Sequence, residues 1–227
     1  MNVFRIIRIP DLATLTNAIL GVSAMFMAVM GYFQVAILLI LVACIADGLD
    51  GFLAIQLENS PIGKYLDSLA DAISFGVAPI VIIFTMYGLE YTYMIIPILL
   101  FYVICGILRL ARFDNKESEI LDFEGVPITA SAVMLSTYLL MNPKYIHPYV
   151  LMFILLLLSI LMITTYPYPK FRNIKVLVPI FILFVSLIVT TILFQELGYI
   201  LATILFILMV LYLESPIMKI PRQYYRD

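Results

Sequence analysis

Four carboxylates stand at fixed spacing in a largely apolar chain: Asp47, Asp50, Asp67 and Asp71. The first two are spaced i, i+3 and the last two i, i+4, so each pair shares one face of a helix. Between the pairs, Glu58-Asn59-Ser60-Pro61 reads as a turn. The two helices then form a hairpin, and the four acids converge at the mouth of its groove. Carboxylates at membrane depth are costly and usually functional. Four of them need a strong shared counter-charge. An all-oxygen donor set suits a hard cation such as Mg²⁺ or Mn²⁺, not zinc or copper. Four carboxylates can hold two ions, an arrangement common in phosphoryl chemistry. The duller alternative is a solvated helix-end face with no metal. His147 is the only histidine, and Cys44 and Cys105 lie inside apolar runs. Neither a zinc site nor a disulfide is expected from them.

Small residues surround the acids: Gly48, Gly51, Ala54, Gly63, Ser68 and Ala70. They let helices pack closely, and they also let a flat group approach the backbone. Packing is the reading favoured for Gly48, while Gly51 and Ala54 suit either role.

The elements that must position this cluster are membrane helices. Of 227 residues, 64% are hydrophobic and only 12% charged, with a mean hydropathy of +1.10. Soluble domains are about half apolar and about a quarter charged. A net charge of −2 argues against a nucleic-acid partner. A helix needs about 20 apolar residues to cross a bilayer. Eight stretches qualify as candidate spans: Leu12–Met30, Phe33–Ile55, Leu66–Tyr87, Tyr91–Leu108, Pro127–Met141, Tyr149–Thr165, Ile174–Phe194 and Gly198–Leu213. The expected fold is an all-α, polytopic transmembrane helix bundle of about eight spans: a six-span core plus two. Polar joints at Gly31, Gly88–Glu90, Asn142–Pro148 and Gln195–Gly198 mark antiparallel neighbours. No repeat or low-complexity linker divides residues 1–227, so one membrane domain is expected.

Eight spans put both termini on one side. Of the 13 Lys and Arg residues, only Lys144 then falls on the other side. Basic residues mark the cytoplasmic face, so the termini and the acid cluster are expected there. Residues 1–10, MNVFRIIRIP, alternate basic and bulky apolar residues, which suits a short interfacial helix or an extended anchor. No small-residue cleavage site follows, so a signal peptide is not expected.

The segments Asp47-Gly48-Leu49-Asp50-Gly51-Phe52-Leu53-Ala54 and Gly63-Lys64-Tyr65-Leu66-Asp67-Ser68-Leu69-Ala70-Asp71 resemble the signature of the CDP-alcohol phosphotransferases. That pattern is D-x-x-D-G-x-x-A-R, a short gap, then G-x-x-x-D-x-x-x-D. All four acids, both signature glycines and the alanine are matched. IPDLATLTNAILG, SFGVAP (Ser74–Pro79), RLARFDN (Arg109–Asn115) and FEGVPITASA (Phe123–Ala132) further resemble the bacterial and archaeal membrane-bound phosphatidylserine synthase branch. The resemblance covers roughly residues 8–135, with the signature-bearing part at 12–135. The C-terminal spans, 149–213, add little beyond hydrophobicity. One departure is clear: Ile55 stands where the family has an arginine, and the gap to Gly63 is one residue short.

The resemblance implies a reaction in which a CDP-activated lipid and L-serine give a phosphatidylserine-type lipid (or archaetidylserine) and CMP. It implies a divalent metal cofactor, Mg²⁺ or Mn²⁺ and two ions, on Asp47, Asp50, Asp67 and Asp71. Asp71 is the implied base for the serine hydroxyl. Nucleotide and CDP-lipid contacts are expected from Thr14, Asn17, Gly51, Ala54, Gly63 and Lys64, with Lys64 as the candidate substitute for the missing arginine and Arg109 or Arg112 as alternatives. Arg109 and Arg112, one turn apart, are expected to hold the serine carboxylate through their forked guanidinium groups; Asn115 and Glu124 are weaker candidates. Positive-inside charge is the plainer account of all three cations. The resemblance also implies a homodimer in the plasma membrane of a prokaryote. Glycerol phosphate, inositol phosphate and choline are rival acceptors, and a cation transporter is a rival of another class. A transporter would prefer acids near the midplane, and these lie beside a polar turn.

Overall fold

The computed structural model describes residues 7–56, 60–114, 123–169 and 174–218, and of residues 50–56, 123, 174–177 and 217–218 only the backbone. Among the described residues nearly everything is helical. The chain runs through α1 (Ile9–Val29), α2 (Phe33–Gln56), α3 (Gly63–Asp71), a π-helical turn (Ala72–Val77), α4 (Ala78–Tyr87), α5 (Thr92–Asp114), α6 (Ile128–Leu139), α7 (Pro148–Ile163), α8 (Ile174–Leu193) and α9 (Gln195–Met218). One two-residue ladder interrupts the pattern: β1 (Phe123–Glu124) pairs antiparallel with β2 (Pro167–Tyr168).

Each expected span coincides with a helix or a helical run. Four runs are long and apolar enough to cross a membrane: Ile9–Val29, Gly63–Tyr87, Thr92–Asp114 and Gln195–Pro216. Four more apolar helices are shorter: Phe33–Leu49, Ile128–Leu139, Pro148–Ile163 and Val178–Leu193. Large apolar side chains such as Leu100, Ile104, Phe153, Phe181 and Ile207 face outward. Such a surface would be an anomaly in water and is the expected one in lipid.

Several boundaries depart from expectation. The third run begins at Gly63, before Leu66, because Gly63 already closes a turn onto the Ser60 carbonyl (3.2 Å). Gln195–Gly198 is no joint. α9 starts at Gln195, and Gly198 sits where a Cβ would come within 2.8 Å of the Thr191 Cα. In the 1–10 segment, residues 1–6 lie outside the described residues. Ile7 and Arg8 are not helical, and Ile9–Pro10 already open α1.

α1 buries one stripe: Pro10, Asp11, Thr14, Asn17, Gly21, Ala24 and Ala28. Those steps of three and four are the period of one helix face. α2 packs along α1, and the two are joined through Gly31 at φ 83°, a left-handed conformation that glycine adopts without penalty. α6 is the innermost element, with Ile128 and every residue from Ser131 to Leu139 buried. It packs against α2, α7 and α9.

Candidate active site

The site begins with α2 and the helical run from Gly63 to Tyr87. Asp47 lies on α2, and Asp67 and Asp71 lie one turn apart on α3. Carboxylate oxygens of Asp47, Asp67 and Asp71 all lie within 4.8 Å of one another. Asp71 is buried, and Asp47 and Asp67 are half-buried. Three like charges this close repel, and burial weakens the screening that water would supply. All donors are oxygens, so the set fits a hard divalent cation. Asp50 lies one turn beyond Asp47 on α2; its side chain, like those of Gly51, Ala54 and Ile55, lies outside the described residues. So does Asn115.

α1 supplies the wall beside Asp71. Asn17, fully buried, donates from Nδ2 to Asp71 Oδ1 at 3.2 Å. Ser74 Oγ donates to the Asn17 carbonyl at 2.9 Å. The helices touch here because residue 21 is glycine: a Cβ there would stand 2.7 Å from the Ser74 Cα. Thr14 is buried one turn above Asn17, its hydroxyl donating to the Pro10 carbonyl at 3.3 Å.

A π-helical turn follows Asp71 directly. Such turns recur at functional sites. Pro79 has no N–H to offer the Phe75 carbonyl, and Tyr102 Oη donates to that oxygen instead, at 3.2 Å. The SFGVAP block therefore turns the helix beneath Asp71 and seats it on α1 and α5. Neither Gly21 nor Tyr102 was singled out by the sequence. The signal for Gly21 is its place one turn after Asn17, at the end of the IPDLATLTNAILG block.

The cations divide into three roles. Arg109 is buried on α5, its guanidinium carbon 6.0 Å from the centre of the Phe113 ring. Its electrostatic neighbours are Asp71, Tyr212, Arg112 and Asp47. Arg112 instead spends its fork on backbone. Nη1 donates to the Ile163 carbonyl (3.0 Å), and Nη2 to the Glu124 and Met162 carbonyls (2.8 and 2.9 Å). Lys64 is exposed and donates to the Asp114 carbonyl at the end of α5.

The FEGVP block explains itself around Arg112. Gly125 has φ 74°, and a Cβ there would lie 2.4 Å from the Met162 carbonyl. Its N–H donates to the Tyr166 carbonyl at 2.9 Å, and the Val126 N–H to that of Leu161 at 3.2 Å. Glu124 enters this junction through its backbone carbonyl. Gly48 is exposed, and a Cβ there meets nothing within 4 Å among the described residues. Among the described residues no side chain packs against it.

Residues 7–168 match the family described as CDP-alcohol phosphatidyltransferase. Over 167 residues the chain is 35% identical to an archaetidylserine synthase of Methanothermobacter thermautotrophicus, with 72% of this chain and 70% of that protein aligned. It is 36% identical over 184 residues to a CDP-diacylglycerol–serine O-phosphatidyltransferase of Helicobacter pylori, covering 77% of each. A protein of the same description from Bacillus subtilis is 34% identical over 168 residues, covering 73% of this chain and 92% of its relative.

Proposed function

The chain belongs to the CDP-alcohol phosphatidyltransferase family, and from that premise we propose that it transfers the phosphatidyl-type group of a CDP-activated lipid to L-serine. The products are a phosphatidylserine-type lipid and CMP. The observation that carries this reading is the convergence of Asp47, Asp67 and Asp71 within 4.8 Å, with buried Arg109 in the field of Asp71 and Asp47.

Asp47, Asp67 and Asp71, joined by Asp50, would hold Mg²⁺ or Mn²⁺, two ions in all. Bound there, such cations would supply charge neutralisation for the donor's pyrophosphate and for the departing CMP. The chain's own groups do the rest. Asp71 takes the proton of the serine hydroxyl as that oxygen attacks the lipid-bearing phosphorus and the P–O bond to CMP breaks. Asn17 donates to one Asp71 oxygen at 3.2 Å and so orients the carboxylate for this work. Arg109 pairs with the serine carboxylate. Arg112, committed to three carbonyls, serves by holding the α5–α7 junction that carries Arg109.

Thr14 and Asn17 on α1, Gly51 and Ala54 on α2, and Gly63 at the head of α3 form the nucleotide wall. Lys64 keeps donors for a phosphate beyond the one used on Asp114, since an ammonium has three. That answers for the arginine replaced by Ile55. In the membrane we place eight spans, both termini and the acid cluster on the cytoplasmic side, and the chain as a homodimer.

The test is CMP release by the purified full-length protein from CDP-diacylglycerol in lipid nanodiscs, with serine, glycerol phosphate, inositol phosphate and choline compared. Serine-dependent CMP is expected. CMP only with another alcohol would move the acceptor, and none with any would reject the transferase reading.

A further inference from the structure

Asp11 is a buried acid outside the metal cluster, and both of its oxygens are occupied. Oδ2 accepts the Arg8 N–H at 2.8 Å, which caps the first turn of α1. Oδ1 accepts the Ser60 hydroxyl at 2.9 Å, across 49 residues of chain. A cap alone needs neither Ser60 nor burial to 2% exposure. The Ser60 carbonyl in turn accepts the Gly63 N–H at 3.2 Å. Even a Cβ on Gly63 would stand 3.1 Å from Asp11 Oδ1. Asp11 therefore lies beside the first residue of the helix that carries Asp67 and Asp71, and reaches it through Ser60.

The same stripe of α1 fixes that helical run twice more, at Asn17 through Asp71 and at Gly21 against Ser74. Gly63, Asp67 and Asp71 follow at intervals of four on one face. α2, with Asp47, packs on α1 as well. Thus α1 is the common reference for both halves of the acid cluster, and Asp11 is its upper fastening.

We propose that Asp11 is a positioning residue for the metal site: through Ser60 and the head of α3 it sets where Asp67 and Asp71 stand relative to Asp47. This rests on the metal reading given above. The test is Mn²⁺ binding to the full-length protein in nanodiscs, read from the loss of the free-ion EPR signal. Asp11→Ala should raise the Mn²⁺ Kd about tenfold, the lower end of the range seen when groups supporting metal ligands are removed, and Ser60→Ala, which removes one of the two bonds to Asp11, by a smaller factor. Asp11→Asn should stay within about twofold of the parent, because an amide can accept from Arg8 and donate to the Ser60 hydroxyl. The serine KM at saturating Mn²⁺ should not move. If Asp11→Ala does not accumulate, Ser60→Ala, which removes one hydroxyl, carries the test. Parent-like Mn²⁺ binding by Ser60→Ala and Asp11→Ala overturns the latch alone. An Asp11→Asn protein as impaired as Asp11→Ala also overturns it, by showing that the charge acts directly. A parent protein that binds no Mn²⁺ would instead reject the metal reading.

Discussion

At the scale of single residues, the two aspartates on α3 differ in their surroundings, and the proposed division of their roles follows that difference. Asp71 is buried and has one oxygen fixed by Asn17, whereas Asp67 is half-buried. Asp71→Asn keeps the shape and removes the base. Turnover should fall by about 10²–10⁴, while Mn²⁺-dependent CDP binding persists in calorimetry; full activity in this variant would remove Asp71 from the proton transfer. Arg109 is tested by a change that keeps its charge. Arg109→Lys replaces a planar fork with a point charge and should raise the serine KM about tenfold, leaving the KM for CDP-lipid in place. A shift in the lipid KM instead would assign Arg109 to the donor's phosphates. The convergence of Asp47, Asp67 and Asp71 was legible in the sequence because a spacing of four on α3 maps onto one helix face and the turn between the helices brings α2 beside it. The fastening by Asp11 was not. Its first-turn position reads as an ordinary cap, and its partner Ser60 lies in a distant turn.

Elements acquire their positions from junctions that the sequence shows only as composition. Arg112 near the end of α5 looks like Arg109 in a one-dimensional reading. Both are basic residues one turn apart, and positive-inside charge, helix capping and ligand binding all use that pattern. Folding separates them: Arg109 faces the acids, and Arg112 caps the end of α7 and grips β1. Arg112→Lys replaces the two nitrogens that share these three carbonyls with a single point donor, so at least one carbonyl loses its donor. A destabilisation of about 1–3 kcal/mol is expected, seen as a lower melting temperature in detergent with the serine KM unchanged. The opposite pattern, a raised serine KM with parental melting, would return Arg112 to the serine site. Helix positions themselves were legible because apolar runs of the required length admit few alternatives. Their ends were not, since Gln195 looks like a joint and proves to be the first residue of α9.

For the whole molecule, the proposed sidedness rests on the charge pattern. With Cys44 and Cys105 replaced by alanine, Lys144→Cys should react with an impermeant maleimide in intact cells, and Lys64→Cys only after permeabilisation; both positions are exposed. The reverse labelling would invert the proposed topology.

The last two helices pose the larger question, because the family match ends at residue 168 and α8 and α9 follow it. They are not peripheral. Ala202 and Leu205 of α9 are buried, and the rings of Phe206 and Tyr138 on α6 stand 5.4 Å apart. Tyr212 lies 5.6 Å from Tyr168, ring to ring, and Tyr168 Oη donates to the Leu213 carbonyl at 3.3 Å. Burial pushes the Tyr168 phenol up to about 12, so it remains a donor at any ordinary pH. Tyr212 is also an electrostatic neighbour of Arg109. Removing α8 and α9 would thus uncover α6, the innermost helix, and strip one side from Arg109. A chain ending at Pro169 keeps every signature residue, yet it should yield no serine-dependent CMP. Supplying residues 170–227 as a separate polypeptide in the same membrane should restore activity in part, because the α6–α9 and β2–α9 contacts need no covalent link. Parental turnover by the shortened chain alone would show that the signature half suffices and that α9 only shields it from lipid.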